Sequence, residues 1–168
     1  MKYAKKSLGQ NFLVDKNIVN KIINISDLTG KNVVEIGPGK GALTNQIILK
    51  KPKTILLIEK DNDLYKSLKD QYRNFKNIII YNNDILQFDF EKKIKKNSII
   101  FGNLPYNISS QILVKIIRLK KSSFLKSELI FMFQKEMAER IVGKFGTAKY
   151  GRLSILANYK YKIKNEFN

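Results

Sequence analysis

Short runs of β-branched residues alternate along the chain with stretches in which apolar positions recur every three or four residues. Asn32-Val33-Val34-Glu35-Ile36, Thr54 to Glu59, Ile78-Ile79-Ile80-Tyr81, Ser98-Ile99-Ile100-Phe101 and Glu128 to Phe133 have the length and composition of buried strands. Between them lie helical patterns. Asp15 can cap a helix with the stripe Ile18, Val19, Ile22 and Ile23. Further helices run from Ala42 to Lys50, across Leu64 and Leu68, from a Ser109 cap through Ile112, Leu113, Ile116 and Ile117, and from Lys135 to Val142. Connections are short, which predicts an α/β fold with a doubly wound, mainly parallel sheet. Gly143 to Arg152, with three glycines and three basic residues, reads as a mobile basic loop. Alternation of Tyr161, Ile163 and Phe167 with polar residues predicts a strand at the end of the chain. The expected organisation is one domain over 1–168. It has an N-terminal covering segment and helix over 1–30, a core over 31–160, and the start of a truncated terminal strand over 161–168.

Composition narrows the chemistry. The chain has 168 residues, of which 43% are hydrophobic, enough for a packed core and against a disordered basic tail. Cys and His are absent, which excludes disulfides, Cys/His zinc sites, Cys nucleophiles and His-based triads. No apolar run approaches the about 20 residues that a membrane span needs, and the N-terminus lacks a signal-peptide core. The expectation is a soluble, cytoplasmic protein. The formal charge is +18, and 28 of the 32 basic residues are Lys. A Lys, Ile and Asn excess of this kind also follows from an A+T-rich coding sequence. Whatever its origin, such a field attracts polyanions, nucleic acid first among them.

The unusual residues collect after the strands, where doubly wound sheets bind ligands. Gly37-Pro38-Gly39-Lys40-Gly41 follows the first strand, and Gly37, Gly39 and Ala42 satisfy the pattern GxGxxG/A. Such a turn lets backbone approach a ligand and leaves free N–H groups at a helix start. Glu59 ends the second strand, where a carboxylate can accept the hydroxyl protons of a ribose. These two features fit a nicotinamide dinucleotide and S-adenosyl-L-methionine equally. Two later ones favour the second. Asp84 follows the third strand, placed to accept from an adenine amino group. Asn103-Leu104-Pro105-Tyr106 follows the fourth. An exocyclic amine is a poor nucleophile because its lone pair is delocalised into the ring. Acceptors on its two N–H bonds, here the Asn103 side-chain oxygen and the Leu104 carbonyl, draw the nitrogen toward tetrahedral geometry. Pro105 fixes the turn. Tyr106 offers a stacking face for an extruded base, worth about 1–3 kcal/mol. Positioning carries such a methyl transfer, so it needs no metal and no strong base.

Gln10-Asn11-Phe12-Leu13, Glu35-Ile36-Gly37-Pro38-Gly39, Glu59, Asn83-Asp84, Asn103-Leu104-Pro105-Tyr106-Asn107, Gln134-Lys135-Glu136 and Tyr150-Gly151-Arg152-Leu153-Ser154 occur in order over nearly the whole chain. In these motifs the sequence resembles the ribosomal RNA adenine-N6 dimethyltransferases, most closely the KsgA type of the small ribosomal subunit. The resemblance implies a Rossmann-like methyltransferase fold with S-adenosyl-L-methionine as cofactor. It assigns Asn11 and Leu13 to the methionine and sulfonium end, and Gly37 to the methionyl portion through its backbone. Glu59 is assigned to the ribose hydroxyls and Asp84 to the adenine amino group. Gly39 and Ile85 belong to the same cofactor surface, and Asn103 serves both cofactor and target amine. Gln134-Lys135-Glu136 would support the site or simply open a helix, and Phe12 would close the pocket or pack in the core. The implied partner is ribosomal RNA in the small subunit, with no membrane, no metal and a monomeric chain.

Members of that family run on through a last strand, a second stacking aromatic and a helical domain. The expectation is therefore a truncated chain that binds the cofactor yet methylates subunits poorly. Three rival readings stand beside this one: a macrolide-resistance methylase acting on large-subunit RNA, a non-catalytic RNA-binding assembly factor, and an NAD dehydrogenase. Leu104 and the Tyr150-Gly151-Arg152-Leu153-Ser154 run favour the small-subunit enzyme over the first.

Overall fold

A computed structural model describes residues 12–119 and 127–167. Five strands form one sheet: β1 (Asn32–Ile36), β2 (Thr54–Glu59), β3 (Ile78–Asn82), β4 (Ile99–Asn103) and β5 (Glu128–Met132). All neighbours are parallel, in the order β3-β2-β1-β4-β5. The chain winds outward from β1 to β3, then returns to the other side of β1. The direction of winding reverses between β1 and β4, where Ile36 stands opposite Gly102.

Helices cover both faces, which is why the central strands are apolar at successive positions. On one face α1 (Lys16–Ile23) and α2 (Ala42–Leu49) bring Val19, Ile22, Leu43 and Ile47 against Val33, Ile55, Leu57 and Phe101. Leu68 of α3 (Asn62–Gln71) joins them. On the other face the short α4 (Phe90–Lys93) and α5 (Ser109–Ile117) supply Phe90, Ile112 and Ile116 to Val34, Ile36, Leu56 and Ile100. A third cluster joins Leu113 and Ile117 to Ile141 of α6 (Lys135–Ile141) and Ala157 of α7 (Arg152–Lys160). The doubly wound parallel sheet is the one expected.

Several boundaries differ from expectation. β4 runs on through Gly102 and Asn103, so this asparagine is the last strand residue. Ser109 does not cap α5. Ile108 is the cap residue, and the Ser109 hydroxyl donates backward to the Tyr106 carbonyl at 3.3 Å. α4 has an N-cap in Asp89, whose side chain accepts from Lys92 N–H, yet it is too short to show a periodicity. The expected terminal strand over 161–168 is not formed in the described residues. Residues 161–167 make no ladder, and Tyr161 and Ile163 pack instead on the third cluster. Their alternation buries one side against helices, which satisfies the pattern without a partner strand. The loop over 143–151 is tied to itself by hydrogen bonds from Thr147 N–H to Lys144 O and from Tyr150 N–H to Thr147 O.

One core residue is acidic. Glu35 on β1 is 2% exposed and accepts a 2.6 Å hydrogen bond from the Thr44 hydroxyl of α2. Burial pushes its carboxyl up to about 7, with Glu59 adding to the rise and the Thr44 bond opposing it. Between the ordinary value of 4.5 and about 7 the native chain keeps a proton that the unfolded chain releases. The stabilisation from neutral Glu35 is therefore complete below 4.5 and lost as pH rises through 7. Glu35→Gln never ionises. Urea denaturation should show this variant gaining on the wild type, by about 3 kcal/mol, as pH rises from about 4.5 to 8. Parallel pH profiles for the two would contradict the assignment.

Candidate active site

Three connections at the carboxyl ends of the strands meet on one residue, Glu59, two at its side chain and one at its backbone carbonyl. The glycine turn after β1 needs left-handed backbone at Gly37 (φ +67°), Gly39 (+60°) and Gly41 (+82°), the residue that caps α2. Gly37 N–H donates to Ile58 O at 2.9 Å, which ties the turn to β2. Gly39 N–H donates to Glu59 Oε2 at 3.1 Å, and Asp61 N–H to Oε1 at 2.9 Å. Asn83 N–H reaches the Glu59 carbonyl at 3.0 Å, drawing in the end of β3. Glu59 is 6% exposed, and its pKa is raised by burial against the pull of these N–H donors.

Asp84 follows β3. Its Oδ1 accepts Leu86 N–H at 2.9 Å and its Oδ2 pairs with Lys60 at 2.8 Å. The hydrogen-bonded Lys60 ammonium holds this carboxyl below its ordinary value. Lys115 of α5 donates to Leu86 O at 2.6 Å and braces the same connection. Across the cleft, Asn103 ends β4, and the Leu104 side chain is 2% exposed in the second core cluster. A Cβ at Gly102 would run into that side chain, so glycine there lets the Asn103-Leu104-Pro105 bend seat itself.

These groups line one cleft. Its floor includes Ile36, Ile58, Leu64 and Ile85, with Glu59 and Asp84 as acceptors and Gly37 and Gly39 as close-approach backbone. Asn103, Leu104 and Pro105 form the opposing wall, and Phe12 closes one side. The Phe12 ring lies on Gly39, where a Cβ would sit 3.0 Å from it, and carries the Lys40 ammonium 4.9 Å from its centroid. Apolar walls, two carboxylate acceptors and a glycine turn suit an adenosine-containing ligand. Among the described residues no three His, Cys, Asp or Glu side chains cluster to hold a metal. None of their helices is long and apolar enough to cross a membrane.

The profile of the family described as "Ribosomal RNA adenine dimethylase" matches residues 1–165. The chain belongs to that family. It is 48% identical over 161 residues to "Ribosomal RNA small subunit methyltransferase A" of Pelagibacter ubique, covering 96% of this chain and 61% of the relative. The protein of that name from Mycoplasmopsis synoviae is 41% identical, covering 99% and 62%. The chain thus spans about three fifths of the length of the curated relatives it matches. Among solved structures, a dimethyladenosine transferase from Plasmodium falciparum superposes with a TM-score of 0.74 at 29% identity, covering 88% of this chain and 52% of that one. The 23S rRNA methyltransferase ErmE follows at 0.67 and 27%, covering 81% and 53%.

In this adenine dimethylase-family chain the fold gathers Gly37, Gly39, Glu59, Asp84, Ile85, Asn103, Leu104 and Pro105 into one cleft. Tyr106 is 44% exposed and outside the cleft wall. Leu13 packs on the first core cluster and not in the cleft, and Asn11 lies outside the described residues. Lys135 and Glu136 open α6, where Glu136 pairs with Arg140 at 2.6 Å, and neither reaches the cleft. The cleft also takes in Lys60, which the sequence reading left out, and Asn107, which stood in the quoted motif without a site role. The signal for Lys60 was its place directly after Glu59 at a strand end.

The glycine turn can be tested. A Cβ at Gly41 would run into the Tyr72 hydroxyl, which itself donates to Asn45 at 2.8 Å. Gly30 has a similar φ (+68°) with nothing close by. Gly30→Ala should cost only the left-handed backbone penalty of about 1–2 kcal/mol, and Gly41→Ala clearly more. Equal losses in urea denaturation would show that the Tyr72 contact does not constrain the turn.

Proposed function

We propose that this chain transfers methyl groups from S-adenosyl-L-methionine to the N6 amino groups of adenosines in small-subunit ribosomal RNA, as an rRNA adenine dimethyltransferase. One observation carries the reading: Glu59, Asp84 and the Asn103-Leu104-Pro105 bend share a single cleft at the point where the sheet reverses its winding. When bound, the cofactor supplies a methyl group made electrophilic by its sulfonium sulfur.

Glu59 presents two oxygens that each already hold one backbone N–H and keep lone pairs for ribose hydroxyls. Asp84, kept ionised by Lys60, is an acceptor only and so selects a base edge that offers a donor. Ile85 and Ile58 supply the apolar faces, and Gly37 and Gly39 allow backbone contact with the amino-acid end. On the far wall Asn103 and the Leu104 carbonyl accept from the target amine, and Tyr106, exposed beside them, stacks on the extruded base. Once the amine is oriented, its proton leaves to water after transfer, and no strong base is called for.

Small-subunit RNA is favoured by the names of the curated relatives at 48% and 41% identity, against the 27% of the ErmE structure. Glu59→Ala should weaken S-adenosylhomocysteine binding by about 1–3 kcal/mol in calorimetry, and unchanged affinity would remove the ribose assignment. Asn103→Ala should retain cofactor affinity within a few-fold while single-turnover methyl transfer falls by about 100-fold or more. The same assay on unmodified small and large subunits decides the target: incorporation confined to large subunits would overturn the small-subunit reading.

A further inference from the structure

The loop between α6 and α7 holds an apolar ring out in water. Phe145 is 88% exposed, and among the described residues its ring neighbour is Tyr150, met edge-on at 5.6 Å. The loop is not free to tuck that ring away. Thr147 bonds to Lys144 O through both its N–H (3.1 Å) and its hydroxyl (2.7 Å), and Tyr150 N–H bonds to Thr147 O at 3.0 Å. Gly146 is left-handed at φ +85°, and Gly143 packs so tightly that a Cβ there would lie 2.7 Å from Lys149 O. At its base, Ser154 donates to Arg140 O at 2.7 Å and accepts from Gly151 N–H. Phe145 and Tyr150, both exposed and in ring contact, make one aromatic patch on a self-bonded loop, and such a patch suits a partner.

Charge identifies the partner's chemistry. Lys144 and Arg152 flank the rings, both exposed and without a carboxylate partner among the described residues, while Lys149 pairs with Glu139 at 3.1 Å. Exposed aromatics between unpaired cations suit a strand that carries flat bases and phosphates together. We propose that this loop is a stacking platform for an unpaired base of single-stranded RNA, with Lys144 and Arg152 on the adjacent phosphates. The proposal rests on the RNA methylation reading and extends it to a nucleotide other than the target. No residue of the loop lines the cleft.

The test uses the 168-residue chain and a fluorescein-labelled single-stranded oligoadenylate, read by anisotropy, with S-adenosylhomocysteine calorimetry as the control for an intact cleft. Phe145→Ala should weaken oligonucleotide binding about tenfold with cofactor affinity unchanged. Phe145→Trp should restore it, whereas Phe145→Leu, apolar but without a π face, should not. Full binding by the Ala or Leu variant would overturn the proposal. So would unchanged RNA affinity combined with loss of self-association in sedimentation, which would make the face a protein contact. A wild-type chain that binds no S-adenosylhomocysteine would instead refute the underlying methyltransferase reading.

Discussion

The carboxylate of Glu59 accepts N–H groups from two separate connections, Gly39 after β1 and Asp61 after β2, while its backbone carbonyl takes Asn83 after β3. Three strand ends are thereby drawn to one point. Without those donors a nearly buried carboxylate would be costly to keep charged. With them, it is held in place with acceptor capacity to spare. The burial that raises its pKa also makes its remaining hydrogen bonds strong, so the group that organises the turn is well placed to grip a ligand.

The topology explains why the site lies there. Winding outward from β1 and then back across it leaves a crevice between the connections after β1 and β4. The glycine turn enters the crevice from one side and the Asn103-Leu104-Pro105 bend from the other. Buried side chains anchor both. Tyr72 backs the turn at Gly41, and Leu104 sinks into the core beneath the bend. The proposed methyl transfer asks nothing of Cys or His, because rigid acceptors would set the geometry and the reactive group would arrive with the cofactor.

Much of this was legible in the residues. The β-branched runs located β1 and β2 to the residue, since strands covered on both faces must be apolar throughout. The polar residues at strand ends marked the cleft because doubly wound sheets expose their carboxyl edge. Less legible features depended on tertiary partners. Alternation at Tyr161 and Ile163 records burial on one side and cannot tell a neighbouring strand from the α5–α7 cluster that receives them. Ser109 had a capping residue's chemistry, but Ile108 occupies the cap position. Lys60 stands directly after Glu59 in the sequence, but its partner Asp84 shows only where β2 and β3 lie side by side.

If Glu59 and Asp84 organise the crevice as an adenosyl-cofactor site, the cofactor's product should bind there. Calorimetric titration of the wild-type chain with S-adenosylhomocysteine, with NAD run alongside, tests this. Saturable one-to-one binding of S-adenosylhomocysteine and no heat from NAD are expected. Binding of NAD alone, or of neither, would contradict the assignment.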